Sequence, residues 1–420
     1  MKNIVLSLIV IAGAVVADAG TLSTSDWPQW RGPHRDAKIH DADPWPLSLK
    51  PSHLSQVWRV DLDKSYSGPV VVGSRIFTTE TVDKTIERVT AFDLSTGKKV
   101  WQNEWAGAMK VPFFAAKNGS WIRATPASDG TLLFVPGIRD TLTAIDIESG
   151  TKIWQLDFTK EMKSPLPSFG TVCSPLIDGN FLYIQAGAGF CKLDKTRGKI
   201  IWRTAADKGG MYGSAFSSPI KANLAGKDVF IVQSREAMQI IDASNGNVDW
   251  VQPIKAFRGM NILTPTVHDG HIFTSSYGGR SHVFEAHLNN GRIGLVEKWN
   301  AKHQGYMSSP VVVNGVIYHH LRNQRLIALD LKTGEELWNE SARFGKYWSM
   351  VANGDQILAL DQKGILRLFN ANRERFDLVD SRVVGDDTWA HLAVAGKNLV
   401  IRELNALAVY QWKPVSLSSR

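Results

Sequence analysis

Residues 91–101 read AFDLSTGKKVW, and nearly the same phrase returns as AIDIESGTKIW from 144, KLDKTRGKIIW from 192, IIDASNGNVDW from 240 and ALDLKTGEELW from 328. In every copy an Asp stands four residues before a Gly, and that Gly four residues before a Trp. Five copies at identical offsets define an internal repeat, which must be recognised before any other feature is read. A sixth copy ends in Gly291 and Trp299 with four residues inserted, and a seventh, LFNANRERFDLV from 368, has lost both Gly and Trp.

Ahead of each copy two short apolar runs flank a turn, as in LTPTVHDGHIF from 263 and SSPVVVNGVIY from 308. Asp-Gly and Asn-Gly between apolar runs are hairpin turns, because both residue types tolerate positive φ. Eight such hairpins occur, near Pro69, Pro126, Pro175, Pro219, Pro265, Pro310, Met350 and Leu392. A unit is therefore a hairpin, a third strand ending in Asp, a Gly turn and a fourth strand carrying Trp. Four short antiparallel strands in series make a propeller blade. The Asp caps its own turn, the Gly takes the left-handed position, and the Trp of the outermost strand is expected to insert between blades. Trp58, Trp101, Trp154, Trp202, Trp250, Trp299 and Trp338 are assigned this structural role.

Trp58 precedes Pro69 by 11 residues, and Trp299 precedes Pro310 by the same 11. Trp58 is thus a fourth-strand Trp with no blade in front of it, while the last unit, LAVAGKNLVIRELNALAVYQW, stops at Trp412 one strand short. A strand around Gln56–Val60 supplies the missing piece and closes an all-β, eight-bladed ring, which is expected to leave no exposed edge.

Four segments follow. Residues 1–19 hold Lys2, an apolar run over 4–16 and Ala17-Asp18-Ala19, the pattern of a signal peptide cleaved after Ala19. Residues 20–54 form an arm rich in Pro and Trp, in which proline precludes helix or central strand, expected to lie along the propeller flank. The propeller occupies 55–413 and a tail 414–420. No run after the leader is long and uncharged enough to span a bilayer, so the mature chain is expected to be exported, periplasmic or extracellular, soluble and monomeric.

A net charge of +8 spread over 48 Lys+Arg and 40 Asp+Glu, with no basic block, argues against nucleic acid as a partner. Two cysteines rule out a disulfide framework. Cys173, placed on the first strand of its blade, and Cys191, on the third, are separated by one strand and read as buried thiols. His319 and His320 adjoin on one strand and point to opposite faces, so they cannot share a metal; His268, His271, His282 and His287 read as surface or interblade residues. No metal motif, nucleophile elbow, phosphate loop or dinucleotide fingerprint occurs.

The Asp-x-x-Thr/Ser-Gly-x-x-x-Trp ending of the repeat resembles that of the eight-bladed propellers built from pyrroloquinoline-quinone-type repeats. The opening DWPQWRGPHRD from 26 is similar to that of exported members grouped with the outer-membrane-protein assembly factor of the β-barrel assembly machinery. The resemblance covers about 26–413 and specifies fold more than function. One branch of the family binds the quinone with Ca²⁺ and oxidises alcohols or sugars; the other is without cofactor and catalysis. The vicinal Cys pair of the quinone-dependent alcohol dehydrogenases is absent, as is the lipid-acceptor Cys of the anchored assembly factor. The resemblance therefore implies a non-enzymatic scaffold for other envelope proteins, with no catalytic residue, metal or cofactor. The alternatives are a quinone- and calcium-dependent dehydrogenase, or a glycan- or peptide-binding module.

Any ligand site belongs at the axis, where the connectors between blades vary in length. Tyr66, Trp121, Arg123, Tyr212, Phe216, Tyr306, Tyr347, Trp348, Trp389 and His391, with Phe169, enter the inner strands there. Such a ring could stack a planar ligand or grip an extended chain, but is expected instead to plug the channel by packing on itself.

Overall fold

The computed structural model describes residues 20–40 and 42–413; the expected leader and its cleavage site, and the tail 414–420, lie outside the described residues. Eight antiparallel sheets follow one another around an axis. Blades 1 to 7 span 70–106, 127–157, 176–204, 220–253, 266–301, 311–339 and 348–383, each with its strands in chain order from the axis outward. Blade 8 has its inner three strands within 393–412, and its outer strand is Leu54–Asp61, antiparallel to Ala406–Trp412. The ring is closed by the N-terminal strand that the Trp58 spacing implied.

The repeat motif works across blades. Asp93, Asp146, Asp194 and Asp330 each accept two backbone N–H bonds from the turn that follows, and Asp242 accepts one. The glycine is required twice over. Gly97, Gly150, Gly198, Gly246 and Gly334 sit at φ between 68° and 80°, a region costly for residues with a Cβ. In addition, a Cβ on each would collide with the indole of the preceding blade's Trp: Trp58, Trp101, Trp154, Trp202 and Trp299 respectively. Each Trp thus lies flat on the next blade's turn. Trp58, Trp101, Trp154, Trp299 and Trp338 also donate Nε1 to a carbonyl there, at 2.8–3.0 Å.

Trp250 departs from the pattern. Blade 5 carries the long hairpin Ser281–Asn289/Arg292–Ala301, which removes Gly291 from reach, so no side chain meets that glycine and Trp250 is left 37% exposed.

Closure does not remove edges, contrary to the sequence expectation. Neighbouring blades meet through sheet faces, so every sheet still ends on an outer strand with nothing paired beyond it among the described residues. Among the described residues the arm pairs with two inner edges: Lys38–Ile39 runs parallel to Trp348–Asn353 of blade 7, and Trp27 bridges Val71 of blade 1.

The arm also departs from expectation. Instead of keeping to the flank it crosses the channel: Trp27 bridges Val71 of blade 1, Arg35 donates to the Pro175 and Ser174 carbonyls at blade 3, and Arg31 to the Pro310 carbonyl at blade 6. Both guanidiniums are buried, and desolvation lowers each to about 10. Farther on, Trp45 stacks against Trp412 at 6.0 Å and Leu49 donates to Asp380. Arginine can enter this site because carbonyls at the inner strands accept from its Nη groups, a condition no local sequence pattern reveals, although Nε of both residues and Nη1 of Arg31 stay without a partner among the described residues.

Candidate functional site: the axial funnel

All inner strands begin on one face, and a ring of hydroxyls sews them together there. The Gly68 N–H donates to Thr125 Oγ1, Thr125 N–H to Ser174 Oγ, Ser174 N–H to Ser218 Oγ, Ser218 N–H to Thr264 Oγ1 and Thr264 N–H to Ser309 Oγ, at 2.9–3.2 Å. In each case the hydroxyl-bearing residue directly precedes the proline that starts an inner strand. Each hydroxyl accepts the backbone N–H of the residue at the same place in the preceding blade, which ties neighbouring inner strands together just ahead of their prolines.

Above this ring the connectors enclose a cavity of about 710 Å³, floored by Trp30 of the arm and by His391, whose rings meet edge-on at 5.9 Å. One wall is aromatic: Tyr347 stacks on Trp389 at 4.0 Å with planes 8° apart, Tyr66 lies 4.5 Å from Trp389, and Tyr306 lies 5.9 Å from Tyr347. Tyr66 donates its hydroxyl to Asp387, and burial pushes both groups above their usual pKa ranges. The opposite wall combines aromatic and cationic groups. Phe169 meets Phe216 at 5.6 Å, and the Arg235 guanidinium lies 4.3 Å above the Phe216 ring, donating to the carbonyls of Met211, Gly213, Arg258 and Gly259. Arg123 donates Nε to the Trp121 carbonyl and Nη2 to that of Gly119, and desolvation lowers it to about 10. Among the described residues no Asp or Glu lines the cavity.

The structure brings nine of the ten expected residues to this cavity: Tyr66, Arg123, Tyr212, Phe216, Tyr306, Tyr347, Trp348, Trp389 and His391. Trp121 is not among them. The first connector folds back through a short 3₁₀ turn, Phe113–Asn118, which puts Phe114 at the cavity and leaves Trp121 behind Tyr66, against Gly119 and beneath the Lys64 ammonium. The aromatic residues do pack on one another, but they do not fill the funnel; its base is closed by the arm. Sequence reasoning missed Trp30, Phe114, Arg235, Phe257 and Arg258. It also missed the hydroxyl ring, although Ser/Thr before five of the inner-strand prolines was there to be read.

The rim exposes aromatic surface. Phe113 is 90%, Tyr212 74%, Phe114 57% and Phe257 49% exposed, all in the connectors that follow blades 1, 3 and 4.

Away from the axis, Cys173 lies in the connector before its inner strand rather than on it. Cys173 and Cys191 are free and buried, and desolvation raises both thiols to about 12. His319 lies edge-on to Phe273 and His320 stacks on Trp348, on opposite faces of their strand; burial drops both to about 3.

Comparison with known proteins places this geometry. The family described as outer membrane protein assembly factor BamB matches residues 85–340. The chain belongs to that family. It is 22% identical over 350 residues to the assembly factor BamB of Moranella endobia (strain PCIT), covering 80% of this chain and 82% of that one. The crystal structure of BamB from Moraxella catarrhalis superposes with a TM-score of 0.63 at 16% identity, over 86% of this chain and all of that one. A europium-containing methanol dehydrogenase shares the fold with a TM-score of 0.54 at 10% identity, over 93% and 98% of the two chains.

Proposed function

We propose that this BamB-family chain is an exported, non-enzymatic scaffold of the cell envelope, and that it holds other envelope proteins through the connectors at the mouth of the funnel. The observation that carries this reading is the collar of Phe113, Phe114, Tyr212 and Phe257. Four exposed aromatic side chains around one concave mouth are anchors for a partner, since a solvated monomer gains nothing by exposing them. A propeller of rigid blades presents such loops without reorganising, which keeps the entropic cost of binding low.

The residues present do not fit quinone and calcium. Ca²⁺ takes six to eight oxygen ligands, carboxylates foremost, and the funnel offers hydroxyls, aromatic rings and guanidiniums with no carboxylate on its surface. The two thiols lie 18 positions apart and do not provide a vicinal pair.

The test is site-specific photocrosslinking in cells. Probes at Phe113 and Tyr212 should capture discrete envelope proteins, whereas probes at the outer-strand residues Leu378 and Val383, also exposed, should not. Equal capture at both sets of positions, or none at the mouth, would remove the funnel face from the function. Quinone-dependent dye reduction by the purified mature chain would overturn the non-enzymatic reading itself.

A further inference from the structure

The funnel's charge and its closed base define what enters it, and this rests on the scaffold reading above. The eight connectors 62–69, 107–126, 158–175, 205–219, 254–265, 302–310, 340–347 and 384–392 contain twelve Lys/Arg and six Asp/Glu, an excess of six against the net +8 of the whole chain. Lys110, Lys117, Lys208, Lys255, Arg258 and Lys346 are exposed there. The face that carries the aromatic collar is therefore also net basic.

Within the cavity the cations differ in availability. Arg235 is spent on four carbonyls, but Arg123 keeps Nη1 free of protein partners and Arg258 makes no side-chain hydrogen bond among the described residues. Beneath them the channel is blocked by Trp30 and by the buried crossing of Arg31 and Arg35. A polypeptide entering the mouth cannot thread through; it must end inside or turn back. A chain ending inside presents either an ammonium or a carboxylate, and with Arg123 and Arg258 on the wall and no acid facing the cavity only the carboxylate is attracted. A turning loop brings a carboxylate to Arg123 only where an Asp or Glu stands at its turn, whereas a free C-terminus always carries one. A lipid surface matches the basic, aromatic rim but is flat and leaves the cavity unfilled.

We propose that the funnel receives the free C-terminus of a partner polypeptide, acidic along its approach and aromatic or apolar at its end. The terminal carboxylate meets Arg123 Nη1, the last side chains lie among Phe114, Phe169, Tyr212 and Phe257, and upstream acidic residues face the connector lysines. Arginine suits the task because a guanidinium forms strong, directional bonds to a carboxylate while its flat face rests on aromatic rings.

The probe is a decapeptide of Asp, Glu and Leu ending in Phe, labelled with fluorescein at its N-terminus and prepared as the free acid and as the C-terminal amide. It is titrated with the mature full chain and read by fluorescence anisotropy. The acid is expected to bind about tenfold more tightly than the amide, the yield of one charge-assisted hydrogen bond. Arg123→Met should bring the two within about twofold, with an unchanged circular dichroism spectrum and melting temperature. Phe113→Ala with Phe114→Ala should weaken both peptides equally. Should Arg123→Met disturb folding, Arg258→Ala provides the same comparison from the rim and should narrow the ratio.

Equal affinity for acid and amide in the wild type overturns the proposal. So does a ratio that survives in a folded Arg123→Met chain, or binding to phosphatidylglycerol vesicles alongside a peptide affinity that ignores the terminus. Failure here with partners still crosslinked at Phe113 and Tyr212 leaves the scaffold standing and removes only its C-terminal ligand; failure of both removes the scaffold.

Discussion

Substituting Gly150 by Ala isolates the contact that repeats around the ring. The new methyl group has two separable effects. At φ 72° it places Ala in the left-handed region, at a cost of about 1–2 kcal/mol. It would also lie 2.6 Å from Cδ2 of Trp101, in the middle of the indole, so the ring must leave its seat. Ejecting the ring loses the 2.9 Å bond from Trp101 Nε1 to the Ile147 carbonyl, worth about 1 kcal/mol. It further exposes roughly half of the 150–250 Å² an indole buries, about 2–3 kcal/mol. Gly150→Ala should therefore cost about 4–6 kcal/mol in total. Gly179 is the control: it has φ 56° with nothing within 4 Å of a Cβ, so Gly179→Ala should show the backbone cost alone, about 1–2 kcal/mol. The assay is urea unfolding of the mature chain followed by far-UV circular dichroism, with Trp101→Ala completing a double-mutant cycle. In the Trp101→Ala background Gly150→Ala should fall to the Gly179 value. Equal costs at the two glycines, or a Gly150 cost undiminished without the indole, would refute the idea that the repeat glycine is reserved for the neighbouring blade's tryptophan.

Other outcomes follow from single sites. Trp250→Ala should cost less than Trp299→Ala, about 2 against about 3 kcal/mol by the same urea titration, because Trp250 has lost its glycine seat and Trp299 has not. Two thiols should react with a disulfide reagent at pH 8 only after denaturation, since Cys173 and Cys191 are buried and raised to about 12; rapid native labelling would contradict their placement. Burial raises Glu87 from 4.5 to about 7 although Trp105 Nε1 and the Ile138 N–H donate to it. The native state then holds a proton the unfolded chain has released, so the Glu87 contribution to stability is full below pH 4.5 and declines as pH rises towards 7. Glu87→Gln should flatten that part of the stability profile measured by chemical denaturation from pH 4 to 8.

Much of the fold was legible because the repeat acts locally. Asp93 caps the turn after it and Gly97 closes it, so identical spacing reports identical local geometry wherever it recurs. The strand at Leu54–Asp61 was legible for a related reason: Trp58 keeps the 11-residue step to the next inner strand, and that step has meaning only if a blade lies behind it. Trp121 was misplaced because a 3₁₀ turn, Phe113–Asn118, reverses the connector and brings Phe114 to the cavity in place of Trp121. The expectation of a ring without edges failed because closure joins blades face to face and leaves each outer strand unpaired. Arg235 and Arg258 were missed since one lies in a hairpin turn and the other in a connector, and only the curvature of the ring brings them to the mouth.

The sequence by itself determined the eight blades, their order, the closing strand and the tryptophans of the repeat. These depend on contacts whose partners recur at fixed separations along the chain. The tertiary structure alone decided that the arm crosses the channel between Pro175 and Pro310, that Trp30 floors the funnel, and that net basic connectors surround the aromatic collar. Those features join residues more than a hundred positions apart, where no periodicity links one partner to the other, and the closed ring sets the distance between them.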